Sequence, residues 1–497
     1  MEEPRQPGSV PAPPEAATKA AGRETEPAPP LLSDESRWYT EHAALLISTL
    51  KWALLGAAAG ACVGLGTKAF LWALAASRDL VRGIHLGPVP YFFLLPLALP
   101  ACVYLIRTFA PTAKGHGTEA VIAAVHQRSG RVDWKVAPVK LLATVLTLAF
   151  GGSVGKEGPC AQIGASITSL FADILRLSDE DRRRLVICGI GAGFAAVFGT
   201  PVSGAIFGIE VLYLGRIEYG VLFPCLMAGI VSHLVCGVAP PVPALHESIA
   251  SLGRTELVVA SVFFGAVFGL VALLLIESMR ATEHLLRRFE KYPYRVAAGG
   301  GLALALLYLS VGDLYSGLGV PVIEAALAGS AAFATLAFFW KIVATSVTLE
   351  TGGSGGIVTP IFFIGATSGV TLARISHLPV GLVAAFGFVA VLAGATNAPL
   401  AASVMGMELL PGAVGVYAAL CAGTAFLFVG HRSVYASQKL GLSKSAGLEV
   451  PSDIAVGDLT RSGLRIRPGS LTDRFHSAVR RPGRRRGPGS KQPKNPS

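Results

Sequence analysis

Shifted by 201 residues, this sequence aligns with itself. KLLATVLTLAFGGSVGKEGPCAQIGA, from Lys140, lies over KIVATSVTLETGGSGGIVTPIFFIGA, from Lys341, with 13 of 26 positions identical. The shared residues include Lys140/Lys341, Gly152/Gly353, Ser153/Ser354, Gly155/Gly356, Pro159/Pro360 and Gly164/Gly365. Upstream, Gly115-His116-Gly117 matches Gly317-Leu318-Gly319 at an offset of 202, and downstream Pro201–Glu210 matches Pro399–Glu408 at an offset of 198. Each half is about 200 residues, far longer than a solenoid repeat, so the chain must fold as two large related halves.

What surrounds the repeat is membrane-like. Of the 497 residues, 52% are hydrophobic and only 15% charged, with a mean hydropathy of +0.57. Apolar spans near the ~20 residues that cross a bilayer occur at 43–75, 91–106, 219–238, 257–276, 297–311, 331–348 and 412–429. Others, at 158–175, 186–198, 359–373 and 381–393, are short or broken by Gly and Pro. Short, interrupted helices in corresponding places of two halves point to a binding site at mid-membrane. The expected class is an all-α polytopic membrane protein.

In the first half the repeat unit reads Gly151-Gly152-Ser153-Val154-Gly155-Lys156-Glu157-Gly158-Pro159, between two apolar runs. Charged, irregular backbone at membrane depth is tolerated only where it lines a cavity or is buried in protein. Pro159 suits the first turn of a helix. The glycines before it let free N–H groups approach a ligand, and the positive end of the helix dipole favours an anion. A phosphate-binding Walker A loop does not fit: Gly151 to Gly155 is one residue short, and Glu157 stands where Ser or Thr would hold magnesium.

Two such units give a two-sided cage, each half delivering a helix start to a shared site. Dehydrating a small anion costs on the order of tens of kcal/mol in hydrocarbon. Converging amides offset that cost without a full countercharge that would trap the ion. Similarity alone leaves parallel and inverted arrangements of the repeats both open.

The seven cysteines are scattered through apolar segments without CxxC spacing and read as small buried hydrophobes. No metal, cofactor or nucleophile constellation is present in the pattern. Residues 1–40 form a Pro-, Ala- and Glu-rich tail expected to be disordered and cytoplasmic. Residues 41–245 and 246–440 are the expected transmembrane repeats, and 441–497 a basic cytoplasmic tail. From Arg461 to Lys494 that tail carries eleven Lys or Arg against one acid, Asp473. Beside a membrane domain such a run means a cytoplasmic segment near anionic lipid, and no nucleic acid is expected as a partner.

GKEGP at Gly155–Pro159, the loop Gly115-His116-Gly117, Gly356-Ile357-Val358-Thr359-Pro360 and Tyr435 in HRSVYAS together resemble the CLC chloride channels and proton-coupled chloride exchangers. The resemblance covers roughly residues 43 to 440. It implies inverted-topology repeats of tilted and broken helices, and a homodimer with one pore per subunit. It also implies a multi-pass protein of a prokaryotic plasma (inner) membrane, embedded in the lipid bilayer with both tails cytoplasmic. Its ligand would be chloride or a similar monovalent anion. Glu157 is similar to the family's gating glutamate, a carboxylate that occupies the anion's place until protonated or displaced. The resemblance places an outer anion site at the amides of Gly155, Lys156, Glu157 and Gly158. A central site would use Gly356, Ile357, Val358, the Tyr435 hydroxyl and His116.

Three positions depart from the family pattern. His116 stands where many members have Ser, and Val358 where Phe is common. Val211 falls where exchangers carry an internal proton-transfer glutamate, with Glu210 beside it; channel members also carry valine there. Valine cannot accept a proton, so the sequence favours a channel-like chloride pathway gated by Glu157, with Glu210 a doubtful substitute in any proton pathway. A chloride/proton antiporter is the alternative, and a membrane-embedded acid–base enzyme built on Glu157, His116 and Tyr435 is the reading from another class. The 62 residues after Tyr435 are too few for the paired cystathionine-synthase-like domains of many relatives, so nucleotide regulation through them is not expected.

Overall fold

Helices dominate because the apolar runs are long; proline opens several of them, as at Pro201, Pro293 and Pro399, and left-handed Gly199 and Gly237 close two. The computed structural model describes residues 34–83, 90–238, 253–330, 332, 335–459 and 463–480. Two units are distinguished, Met1–Lys51 and Trp52–Ser497. In the first, the described residues are the exposed opening turns of α1 (Asp34–Gly83). Helix therefore begins inside the range expected to be tail, while residues 1–33 lie outside the described residues.

The second unit carries the rest of the first half: α2 (Leu95–Phe109), α3 (Thr118–Gln127), α4 (Val136–Ala149), α5 (Glu157–Ile174), α6 (Asp179–Phe198), α7 (Pro201–Glu210) and α8 (Leu222–Cys236). The second half follows in the same order: α9 (Arg254–Arg287), α10 (Pro293–Val311), α11 (Val320–Leu327), α12 (Ala337–Glu350), α13 (Val358–Ser376), α14 (Val380–Thr396), α15 (Pro399–Leu409) and α16 (Gly412–Phe428). Among the described residues, six helices are long and apolar enough to cross a membrane: Trp38–Val81, Tyr91–Phe109, Tyr219–Cys236, Arg254–Arg287, Pro293–Val311 and Val358–Ser376. α5, α6, α13 and α14 are almost wholly buried, whereas Leu97, Tyr104, Phe263, Leu302 and Leu309 on the outer helices are exposed as lipid-facing side chains would be.

α6 starts seven residues before the apolar span at 186–198. Ser178 caps it by accepting the Asp181 N–H at 3.1 Å, and Asp179, Glu180 and Asp181 fill the first turn. The charged turn hid the start from hydropathy. α5 and α6 approach through glycine: a Cβ on Gly164 would stand 2.3 Å from the Gly189 carbonyl oxygen. The equivalent pair in the second half, Gly365 and Gly387, is as tight at 2.2 Å.

The halves interlock by exchanging equivalent contacts. Gly155 N–H donates to the Gly356 carbonyl at 2.6 Å and Gly356 N–H returns the bond to Gly155 at 2.7 Å, in antiparallel sense. Ser153 N–H donates to Thr348 Oγ1 at 3.1 Å, and Ser354 N–H to Thr147 Oγ1 at 3.0 Å. The buried lysines do the same within each half. Lys140 Nζ donates to the Ala113 carbonyl (3.1 Å) and Lys341 Nζ to that of Tyr315 (3.0 Å), with further bonds to Gly115 and Gly317.

α7 and α15 each end in a glutamate that caps the other. Glu210 accepts from the N–H groups of Leu400 (3.0 Å) and Ala401 (2.7 Å); Glu408 accepts from those of Val202 (3.0 Å) and Ser203 (2.8 Å). Each carboxylate thus meets free amides at the positive end of a helix. Replacing such a cap costs about 0.5–2 kcal/mol. We therefore expect Glu408→Ala to lower the melting temperature of the detergent-solubilised protein; an unchanged melt would make the reciprocal cap energetically neutral.

The chain beyond 440 is not only a charged tail. β1 (Tyr213–Leu214) pairs in parallel with β2 (Lys439–Leu440), and β3 (Leu448–Glu449) pairs antiparallel with β4 (Arg465–Ile466). Leu214, Leu440, Val456 and Leu459 bury one another. The range read as a basic tail thus contains a small folded segment, built on sparse apolar residues among the charges. Residues 481–497 lie outside the described residues.

Candidate functional site

Glu157 opens α5 and is fully buried, yet its carboxylate reaches across to the other half. It accepts the Thr359 N–H at 3.1 Å and the Thr359 hydroxyl as well. Thr359 is the second residue of α13, so the carboxylate occupies amides at a helix start that a free anion would also seek. Thr359 stood in the GIVTP motif, but nothing in the spacing announced it as the partner of Glu157.

The structure brings 155–158 and 356–358 together. A Cβ on Gly356 would lie 2.7 Å from Gly158 N and 3.3 Å from Glu157 N. Two expected anion donors are corrected here: the Gly155 and Gly356 amides are spent on each other, and they shape the crossing instead of facing a ligand. Lys156 is half-buried at the N-cap of α5; Ile357, at the N-cap of α13, and Val358 are buried.

The His116 loop packs on this crossing. Gly117, at φ +88°, adopts a backbone that side chains rarely allow, and its absent Cβ would stand 2.5 Å from the Gly158 carbonyl oxygen. The loop presents His116 5.5 Å, ring centre to ring centre, from Tyr435, with Thr118 beside the tyrosine hydroxyl. His116 Nδ1 and Tyr435 Oη are both sealed from solvent and without a protein hydrogen-bond partner. An orphaned buried polar atom costs about 1–3 kcal/mol. Each can offer an occupant one hydrogen bond, the histidine's share depending on its tautomer.

Tyr435 is held by a strap leaving α16. Val434 N–H donates to Ala395 (2.9 Å), and Gln438 Nε2 to the carbonyls of Val211 (2.9 Å) and Thr396 (2.7 Å). Ser437 donates its N–H (2.9 Å) and its hydroxyl to Glu119 Oε1. Val211 is buried, and its carbonyl serves the strap. Glu210, expected as a doubtful proton acceptor, has both oxygens committed to α15 and acts as a cap. The matched pair Pro201–Glu210 and Pro399–Glu408 was the sequence signal for that role. Beside the strap lies a cavity of about 490 Å³, lined by His126, Arg287, Ser437, Lys439 and Asp458 among others.

A family model described as "Voltage gated chloride channel" matches residues 97–430. A chloride/fluoride channel protein of Pseudomonas syringae pv. tomato is 39% identical over 352 residues, 69% of this chain and 77% of that one. The H(+)/Cl(−) exchange transporter ClcA of Salmonella paratyphi B is 29% identical over 72% of this chain and 80% of its own. The crystal structure of a CLC-type fluoride/proton antiporter superposes with a TM-score of 0.73 at 27% identity, covering 79% of this chain and 98% of that one. A slow cyanobacterial Cl−/H+ antiporter is alike in fold, with a TM-score of 0.65 at 21% identity over 76% and 94% of the two chains. The fold is that of two inverted-topology repeats of tilted and broken helices. With its paired half-chains, crossing helix starts and the matched motifs, the chain belongs to the voltage gated chloride channel (CLC) family, multi-pass membrane proteins that transport anions.

Proposed function

We propose that this protein exchanges a small monovalent anion, chloride or fluoride, for protons, with Glu157 as the shared element. One observation carries the reading: the Glu157 carboxylate sits on the Thr359 amide and hydroxyl of the opposite half. An anion and that carboxylate compete for the same donors, so entry of the anion is tied to protonation or displacement of the side chain. His116, Tyr435 and the helix-start amides of Gly158, Ile357 and Val358 then supply the anion's contacts, with Lys156 adding positive field. The names of the relatives support exchange: one is an H(+)/Cl(−) exchange transporter and another a fluoride/proton antiporter.

This puts exchange ahead of the channel favoured by Val211. The channel stays as a second reading because Val211 is aliphatic and Glu210 is committed to α15. The missing acid removes one proton route, but coupling itself needs only that Glu157 change protonation as it yields to an anion. The proposal includes a homodimer with one pathway per subunit in a prokaryotic plasma membrane, both tails cytoplasmic. Exposed apolar side chains on α8, α15 and α16, such as Leu234, Met407 and Val416, suit such a contact.

The test is the reversal potential of the protein reconstituted in vesicles under a chloride or fluoride gradient, with and without a pH gradient. Exchange shifts it with the pH gradient in a fixed ratio. A potential that follows the anion gradient alone, at every pH gradient, restores the channel.

A further inference from the structure

Glu119 is the acid to which the exchange reading gives no role. It stands in the first turn of α3, three residues after His116, half-buried among polar groups of the strap. Its Oε1 accepts both donors of Ser437. Its Oε2 is sealed from solvent and has no protein partner. Among the described residues the two fully buried glutamates differ: Glu157 is engaged at both oxygens by Thr359, and Glu210 at both by α15. A carboxylate oxygen buried without a donor is costly unless it carries a proton or meets a water.

The surroundings of Glu119 give that proton a way in and a way onward. Ser437, its partner, also lines the 490 Å³ cavity, whose other ionisable walls are His126 from α3, Arg287 from the end of α9, Lys439 from β2 and Asp458. The same strap carries Tyr435, two residues before Ser437, with its ring 5.5 Å from that of His116, and the His116 loop meets Gly158 beside Glu157.

We propose that Glu119 is the inner proton-transfer residue of this chain, standing in for the acid that Val211 replaces. A hydronium ion in the cavity gives its proton to the Ser437 hydroxyl oxygen as that hydroxyl passes its own proton to Glu119 Oε1, leaving water, an intact serine and a neutral carboxylic acid. That acid passes the proton to the Glu157 carboxylate, which becomes neutral and lets go of Thr359, while Glu119 returns to its anionic form. One residue thus links the cavity to the gate without crossing the committed Glu210. The inference rests on the exchange reading above.

The test compares the wild type with Glu119→Gln and Glu119→Asp in the same vesicles, following proton and anion fluxes separately. The amide of Gln still accepts from Ser437 but cannot carry a proton, so proton flux should fall on the order of a hundredfold more than anion flux, the lower end of what one general acid–base group contributes. Asp retains the acid and should keep the wild-type ratio of protons to anions at lower turnover. Wild-type coupling retained in Glu119→Gln overturns the role of Glu119 while leaving exchange intact. So does equal loss of both fluxes in Gln and Asp, which would reduce Glu119 to holding Ser437. A wild type that moves no protons against the anion overturns exchange itself, and this inference with it.

Discussion

On the exchange reading Glu157→Gln should abolish proton transport and leave an anion flux that no longer responds to pH. In the wild type the carboxylate holds the Thr359 amide and hydroxyl, and exchange requires that a proton or an anion release it. Glutamine fixes the neutral condition at every pH. Hydrogen bonds to a charged group are worth about 1.5–3 kcal/mol against about 1 kcal/mol for neutral ones. The side chain's hold on the site should therefore weaken roughly tenfold, and apparent anion affinity should rise by a similar factor. Proton and anion fluxes from reconstituted vesicles at several pH values check this. A Gln variant with the wild-type pH response would remove Glu157 from the gate.

Gly158→Ala should be the most damaging methyl in the protein. Its Cβ would lie 2.0 Å from the His116 carbonyl oxygen and 3.0 Å from Gly356 Cα. Both are backbone atoms, so neither can turn aside as a side chain would. Forced overpacking of this kind costs about 1–3 kcal/mol and sometimes more, and here the displaced segment is the loop that places His116. We expect poor folded yield, a lower melting temperature and loss of anion flux. Gly299→Ala is the control: nothing stands within 4 Å of that Cβ on the exposed side of α10, and alanine is the better helix former by about 1 kcal/mol. A Gly158→Ala protein that melts and transports as wild type would mean that the loop before α3 gives way freely.

Much of this architecture is written in the sequence because duplication repeats its signals. Lys140 and Lys341, Ser153 and Ser354, and Gly155 and Gly356 were visible as matched residues, and each pair makes matched contacts in space. Helix ends were less legible where charge overrode hydropathy, as at Asp179 to Asp181 in α6. The partners of side chains were least legible of all. Whether a Gly155 amide meets an anion or the Gly356 carbonyl depends on how two distant segments cross, and Thr359 joins Glu157 from 202 positions away. Glu119 escaped notice for the same reason, since its burial comes from a strap more than 300 residues later.

The latch between the halves also limits how the molecule can move. Many symmetric transporters rock one repeat against the other around a fixed site. Here the Gly155–Gly356 exchange and the crossed Ser–Thr bonds fasten the two halves together at the very point where a pivot would have to open. Rocking would tear the frame that builds the site. On the exchange reading turnover falls to the smallest available mover, a single carboxyl group swinging on its stem, in place of a domain motion that takes microseconds or longer.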